Sequence, residues 1–522
     1  MTTPSIAITL ADRRSLYAFW LGSAVVTAGV LLHLPMFWMA RDMGFVLAGM
    51  KIDAGMAFGM ALIFGGVGMT CYGLLPRTMA SAAAKGPREI FSPPEEAPLT
   101  RAHWTVMVIL GLTLVIDIMK PASLGFVTPG MRVEYGVGGA TIAWLPFAAL
   151  TGTTVGSFVW GVLADIYGRR ATILLSSIMF VGTSICGAMP SFWWNVGMCF
   201  LMGAAAGGLL PVAYALLAEI MPTRHRGWCL VLVGSVGAVG GYFAASFFSE
   251  LLQPVFGWRI MWFLNLPTGL IVIALSAWLP ESARFLQHVG RHDEARAVLK
   301  RFGSVAIGIE EPADSHDRHA PLPPFDRRFA GMTAALTAAA LAWGLVNFGL
   351  LLWLPGALVD EGRSFEAASK LIARSSLIAL PVVVAATLMY SRWSAKWSLA
   401  VMIAAVIVGL ALLLVRQAGV AAFQATTPIV ALLVAGSSGV IAILLPYTAE
   451  AFPLRIRGRA SGWIAGCSKL GGLLAQGFGL FFGAPALGAA ALTVGVPAAA
   501  ALALIAAFGP ETRGRDLREI DG

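Results

Sequence analysis

Three ionisable side chains lie within long apolar stretches of this 522-residue chain: Asp117 and Lys120 near 104–131, and Lys469 near 460–483. Charge is expensive in such surroundings, so these residues are the first candidates for solute or ion handling. Asp117 and Lys120 are three residues apart and share one side of a helix. A carboxyl here can carry a proton, its state set by competition between low dielectric and the neighbouring ammonium. A static pair that neutralises itself is the plain alternative. Pro121 follows and cannot donate to the carbonyl of Asp117, so the helix is expected to break or bend there. Lys469, in Cys467-Ser468-Lys469-Leu470-Gly471-Gly472, is placed to meet an anionic solute group or to counterbalance Asp117, unless it reaches for the interface. Arg374 lies nearer a surface, where snorkelling accounts for it.

The elements that carry these residues are membrane helices. Apolar residues make up 58% of the chain and charged residues 12%, against about 25% charged in soluble proteins. A span needs about 20 apolar residues. About fourteen segments qualify, near 16–40, 52–75, 104–131, 139–164, 170–189, 192–221, 227–252, 258–279, 329–358, 366–390, 397–415, 425–450, 460–483 and 487–508. The first is too long for a signal-peptide core and is kept as a helix. Polar stretches 76–103 and 280–328 read as linkers, with an amphipathic surface helix over 282–302. The five cysteines show no metal-ligand spacing and read as small hydrophobes. No cofactor or metal is expected.

The net charge of +9 is a sidedness signal rather than a nucleic-acid footprint. With both termini on one side, 26 of the 36 Lys and Arg fall on that side, seven on the other and three within helices. The positive-inside rule makes the richer side cytoplasmic. The chain also repeats itself. Ala218-Glu219-Ile220-Met221-Pro222-Thr223-Arg224-His225-Arg226-Gly227 returns as Ala449-Glu450-Ala451-Phe452-Pro453-Leu454-Arg455-Ile456-Arg457-Gly458, 231 residues later. Pro280-Glu281-Ser282-Ala283-Arg284 returns as Pro510-Glu511-Thr512-Arg513-Gly514, 230 residues later. Two motifs with one spacing mean a duplicated unit, and duplicated apolar halves place a site between them. Shifting Asp117 by that offset reaches Phe348, beside Asn347, the expected uncharged counterpart. Trp144, Trp343 and Trp353 are candidates for the same cavity wall.

Gly161-Val162-Leu163-Ala164-Asp165-Ile166-Tyr167-Gly168-Arg169-Arg170 closely resembles the signature loop of the major facilitator superfamily. The duplicated Glu-Pro-Arg-Gly loops and the run at 280–286 resemble its sugar and metabolite porter branch. The resemblance implies two six-helix bundles, here with an extra N-terminal two-helix hairpin, in an all-α membrane protein. It also implies a latch of charges at the cytoplasmic boundary: Asp165, Arg169, Arg170, Glu219, Arg226, Glu281 and Arg284 in the first half, Glu450, Arg457 and Glu511 in the second. Gly161 is expected to let helices approach and Gly168 to permit a tight turn. The second half departs from the pattern: Ser391-Arg392-Trp393-Ser394-Ala395-Lys396-Trp397 has neither acid nor glycine. Cys199 stands where sugar porters carry an arginine, and Gly234-Ser235-Val236-Gly237 replaces a glutamine-rich signature, which lowers the odds of a sugar.

The expected layout is a hairpin over 1–80, a linker over 81–103, bundles over 104–280 and 329–510 separated by a loop over 281–328, and a tail over 511–522. The expected function is proton-coupled symport of a small organic solute, an organic acid, across a bacterial plasma membrane, by a monomer or by an oligomer formed through the hairpin. Proton-antiport efflux of drugs or metabolites is the alternative, and a non-transporting receptor a second. The chain carries no HExxH, GxSxG or P-loop pattern and is not read as an enzyme.

Overall fold

The computed structural model describes residues 13–75, 88–91, 98–304, 306–310, 327–420 and 425–512. Among the described residues, thirteen helices are long and apolar enough to cross a membrane. They are α1 (Arg13–Met43), α2 (Ala54–Leu74), α3 (Arg101–Tyr135), α4 (Gly139–Tyr167), α5 (Arg169–Ala188), α6 (Phe192–Ile220), α7 (Arg224–Phe256), α8 (Ile260–Trp278), α9 (Ala330–Asp360), α10 (Phe365–Arg392), α11 (Ala395–Gln417), α12 (Thr426–Ala451) and, last in the chain, α14 (Leu487–Phe508). Between the last two lies α13 (Leu454–Phe482), 29 residues long. The ends are set by local chemistry. Asp53 accepts from the amide of Met56 to cap α2, and Ser364 does the same from Ala367 for α10. Gly136 closes α3 in the left-handed region, at φ 61°.

Helices α3–α8 and α9–α14 form two six-helix halves. They meet where α3 faces α9, α7 faces α10 and α12, and α4 faces α13. The hairpin α1–α2 packs on itself through small residues. A side chain at Gly22 would strike the backbone of Gly66, and one at Gly29 that of Gly59. It then docks on α5, burying Val26 and Ile63 with Ile178 and Val181.

Three expectations change. Pro121 does not end its helix: α3 runs 35 residues through both Pro121 and Pro129. Proline removes one ladder bond, and packing on both sides carries the helix across it. The irregular segment lies instead in α9, as a π-helical turn over Val346–Leu350. The linkers are not wholly without regular structure, because β1 (Arg88–Phe91) pairs antiparallel with β2 (Ala306–Glu310). The amphipathic segment is two helices, Ala283–His288 and His292–Arg301, divided at Gly290 with φ +78°.

Candidate functional site

A cavity of about 290 Å³ lies between the halves. It runs from Pro121 and Leu352 to Gly161 of α4 and Gly462 of α13, near the ends that carry the Asp165 loop. Its walls are mostly apolar and include Phe158, Trp343 and Phe348. Such a wall with a few polar groups is the usual make-up of a small-molecule site.

Asp117, Asn347 and Lys469 all line this cavity, from α3, α9 and α13. Asp117 is 6% exposed, and its Oδ1 has no hydrogen-bond partner. Both Lys120 and Lys469 are near enough to attract its charge. Lys469 places its ammonium 5.2 Å from the ring centre of Phe348. Asn347 is held by the first half: Tyr242 of α7 donates to its side-chain oxygen at 3.0 Å and to its backbone oxygen at 3.2 Å. Gln476 donates to the neighbouring carbonyl of Phe348. A π-turn leaves carbonyls without ladder partners, and these two side chains supply them.

Lys120 does not join the cavity. It is 1% exposed, and its ammonium faces the ring of Phe180 inside the first half, with no hydrogen-bond partner. Three residues along a helix correspond to about 300° of rotation, a net separation of about 60°, so Asp117 can border the seam while the long Lys120 side chain turns into the bundle interior. Of the three tryptophans, Trp343 lines the cavity. Trp353 donates to Gln476 at 3.3 Å, and Trp144 is 39% exposed and stacks edge-on with Trp193.

Several of the boundary charges pair within their own half. Arg169 bridges Asp165 at 3.1 Å and Glu219 at 3.0 Å. Arg170 donates to the carbonyls of Ser276 and Ala277. Glu281 is buried and accepts from the amides of Arg169, Arg170 and Ser282. Gly168 has φ +100°, and a side chain there would strike Glu281. Gly161 meets nothing within 4 Å of a built side chain, so it makes no close helix contact and borders the cavity instead. Glu450 accepts from Tyr390 at 2.6 Å and Thr512 at 3.0 Å, and lies against Gly227 across the seam. Arg226 donates to the carbonyl of Met221, and Arg284 is exposed. The side chain of Arg457 falls outside the described residues.

The whole arrangement has a family. The family model described as Major Facilitator Superfamily matches residues 109–476. This chain belongs to the major facilitator superfamily. The transporter is 25% identical over 397 residues to the niacin transporter NiaP of Acinetobacter baylyi, covering 73% of this chain and 87% of that one. It is 29% identical over 427 residues to the 4-hydroxybenzoate transporter PcaK of the same organism, covering 75% and 87%. Among solved structures it resembles the proton:xylose symporter XylE, with a TM-score of 0.63 at 17% identity, covering 80% of this chain and 98% of that one. At that identity the likeness speaks for the fold.

The sequence reading missed what closes the transporter on the face opposite the Asp165 loop. There Arg132 reaches Asp360 at 3.8 Å, Lys370 reaches Glu250 at 3.7 Å, and Ser249 bonds Ser369 at 3.0 Å. Each pair joins one half to the other. Beside them sits a buried knot. Arg259, fully buried, binds Glu134 at 2.6 Å and donates to the carbonyls of Gly187 and Met189. Glu134 also accepts from the amides of Leu47 and Ala48 in the hairpin's loop. The basic members were visible as scattered charges of the sparser side. Their acidic partners lie 120 to 228 positions away, and only docking brings them together.

Proposed function

We propose that this chain is a proton-coupled symporter of an aromatic monocarboxylate, working by alternating access. One observation carries the reading: a single aromatic-walled cavity holds an unpartnered buried carboxyl from one half and a lysine ammonium from the other. Lys469 binds the solute carboxylate, with Trp343 and Phe348 against its ring. Asp117 carries the proton. Asn347 and Tyr242 link the two halves beside the solute, so its arrival is felt at the seam. The two relatives support the solute class, since niacin and 4-hydroxybenzoate are both aromatic rings bearing one carboxylate.

The coupling follows from electrostatics. A carboxylate entering beside an ionised Asp117 would place two negative charges in low dielectric, and protonating Asp117 removes that repulsion. Solute and proton are then bound together and released together. The cavity reaches the Asp165-loop face while the opposite face is held shut by cross-half pairs. The Lys and Arg excess makes the Asp165 face cytoplasmic in the bacterial plasma membrane, with both termini inside and the transporter open inward. The chain is read as a monomer.

Purified protein in proteoliposomes, given an inward proton gradient, should accumulate radiolabelled 4-hydroxybenzoate. Asp117→Asn should lose accumulation but keep exchange of internal for external solute. Undiminished uphill uptake by that variant would remove Asp117 as the proton carrier.

A further inference from the structure

Every other hydroxyl on the cavity wall is already engaged. Thr153, Thr154 and Ser157 donate to carbonyls of Ala149, Leu150 and Thr153, Ser468 donates to Ala465, and Tyr242 is bonded to Asn347. Tyr214 of α6 is the exception. It lines the cavity at 8% exposure, and its hydroxyl has no hydrogen-bond partner among the described residues. A buried hydroxyl left unpaired is unfavourable, and native proteins rarely keep one without a use.

The space around it is shaped for that oxygen. A side chain at Gly234 of α7 would collide with the Tyr214 hydroxyl, and the same point lies 3.5 Å from the Cα of Ala442 in the other half. Glycine at 234 therefore leaves the hydroxyl its place at the seam. Tyr242, which holds Asn347, lies eight residues further along the same helix. Eight helical residues span about 12 Å. Asn347, with Lys469 beside its neighbour Phe348, and the Tyr214 hydroxyl are thus set about two turns of α7 apart along the cavity, with room between for one ring carrying a polar group at each end.

We propose that Tyr214 sets specificity by hydrogen-bonding a hydroxyl on the solute ring, remote from its carboxylate, so that hydroxylated aromatic carboxylates are preferred to unsubstituted ones. The inference rests on the aromatic-carboxylate reading above. In that geometry the carboxylate meets Lys469, the ring lies along the apolar wall, and the ring hydroxyl pairs with the Tyr214 hydroxyl. Both polar ends of the solute are then satisfied, as is the one wall hydroxyl otherwise left without a partner.

The test is the ratio of affinities for 4-hydroxybenzoate and benzoate, measured by calorimetric titration of the purified full-length protein in detergent. Wild type should favour 4-hydroxybenzoate by about tenfold, the worth of one buried hydrogen bond. Tyr214→Phe should bring the ratio near one. Gly234→Ala, which displaces the hydroxyl without removing it, should lower the ratio in the same direction, so the test survives if one variant folds poorly. An unchanged ratio in both variants, or equal losses for the two solutes, would overturn the assignment while leaving the transport reading standing. Wild type that binds neither solute would overturn the aromatic-carboxylate reading and this inference with it.

Discussion

Glu281 and Glu511, 230 residues apart, close the same helix in the two halves. Glu281 accepts from the amides of Arg169 at 2.7 Å and Arg170 at 3.2 Å, at the start of α5. Glu511 accepts from the amide of Ala395 at 3.0 Å and from the hydroxyl of Ser394, at the start of α11. Each carboxylate satisfies amides that the first turn cannot pair internally, and each sits at the positive end of a helix dipole. The loops before them differ. Gly168 makes room for Glu281 in the first half, while Ser394 caps α11 by accepting from Trp397 in the second. A hydroxyl donor thus replaces a glycine turn, and the duplicated function survives the loss of the acid and the glycine.

Removing the Glu281 carboxyl should leave three buried amides without acceptors. Glu281→Ala should lower stability by about 1–3 kcal/mol, read as a fall in the melting temperature of purified protein, and Glu281→Gln by less. Burial pushes the Glu281 carboxyl up, with the amides of Ser282, Arg170 and Arg169 pulling against it. The folded state therefore holds this proton more tightly than the unfolded state. Its contribution grows as pH falls through the raised value and fades as pH rises above it. Wild type should gain on Glu281→Gln as the buffer is acidified from neutral. A gap between them that stays flat or moves the other way would count against this account.

Much of the candidate site was visible in the chain. Asp117 and Lys469 stood out because charge within an apolar run is costly, and the repeat offset led from Asp117 to Asn347. Helical spacing gives the angle between two residues but not which of them faces the seam, so it groups Lys120 with Asp117, whereas Lys120 faces Phe180. The π-turn was invisible because Tyr242 and Gln476, distant in sequence, supply the partners that make it tolerable. The break expected at Pro121 came from a local rule that tertiary packing overrode, since the helix runs on through it.

Lys120 has no acceptor for its ammonium and lies against an aromatic ring. Burying a charge with no hydrogen-bonded partner opposes folding, and an apolar group of similar length removes that penalty. Lys120→Met should therefore melt no lower than wild type and should retain solute binding, since Lys120 is not a cavity-lining residue. A large loss of binding affinity by titration would show that the side chain reaches the solute after all.

Arg132–Asp360 and Glu250–Lys370 hold the halves together on the closed face. Three of these four side chains are 46–72% exposed, so each pair contributes about 0–1 kcal/mol. Two such pairs suffice to bias an equilibrium between states a few kcal/mol apart. Arg132→Ala combined with Lys370→Ala should open that face more often. A cysteine introduced at Leu352, which borders the cavity, should then label several-fold faster with an impermeant maleimide added from the side opposite the Asp165 loop. No change in labelling would mean that apolar packing, not charge, keeps this face shut.

The Glu134–Arg259 knot ties three things together at once. Arg259 is fully buried and holds the carbonyls of Gly187 and Met189, at the end of α5. Glu134, at the end of α3, holds the amides of Leu47 and Ala48, so the hairpin's loop is fastened to the first half by the carboxylate that also neutralises Arg259. Removing one member leaves the other charged and buried, which costs about 3–5 kcal/mol. Arg259→Met and Glu134→Leu should therefore each lower the melting temperature sharply, and the double variant should recover much of the loss because no lone charge remains. The hairpin distinguishes the two single variants. Glu134→Leu frees the amides of Leu47 and Ala48, whereas Arg259→Met leaves their acceptor in place. Hydrogen exchange at residues 47–48 should accelerate far more in Glu134→Leu, and equal acceleration in both would show that the loop is held by its apolar contacts with the first half instead.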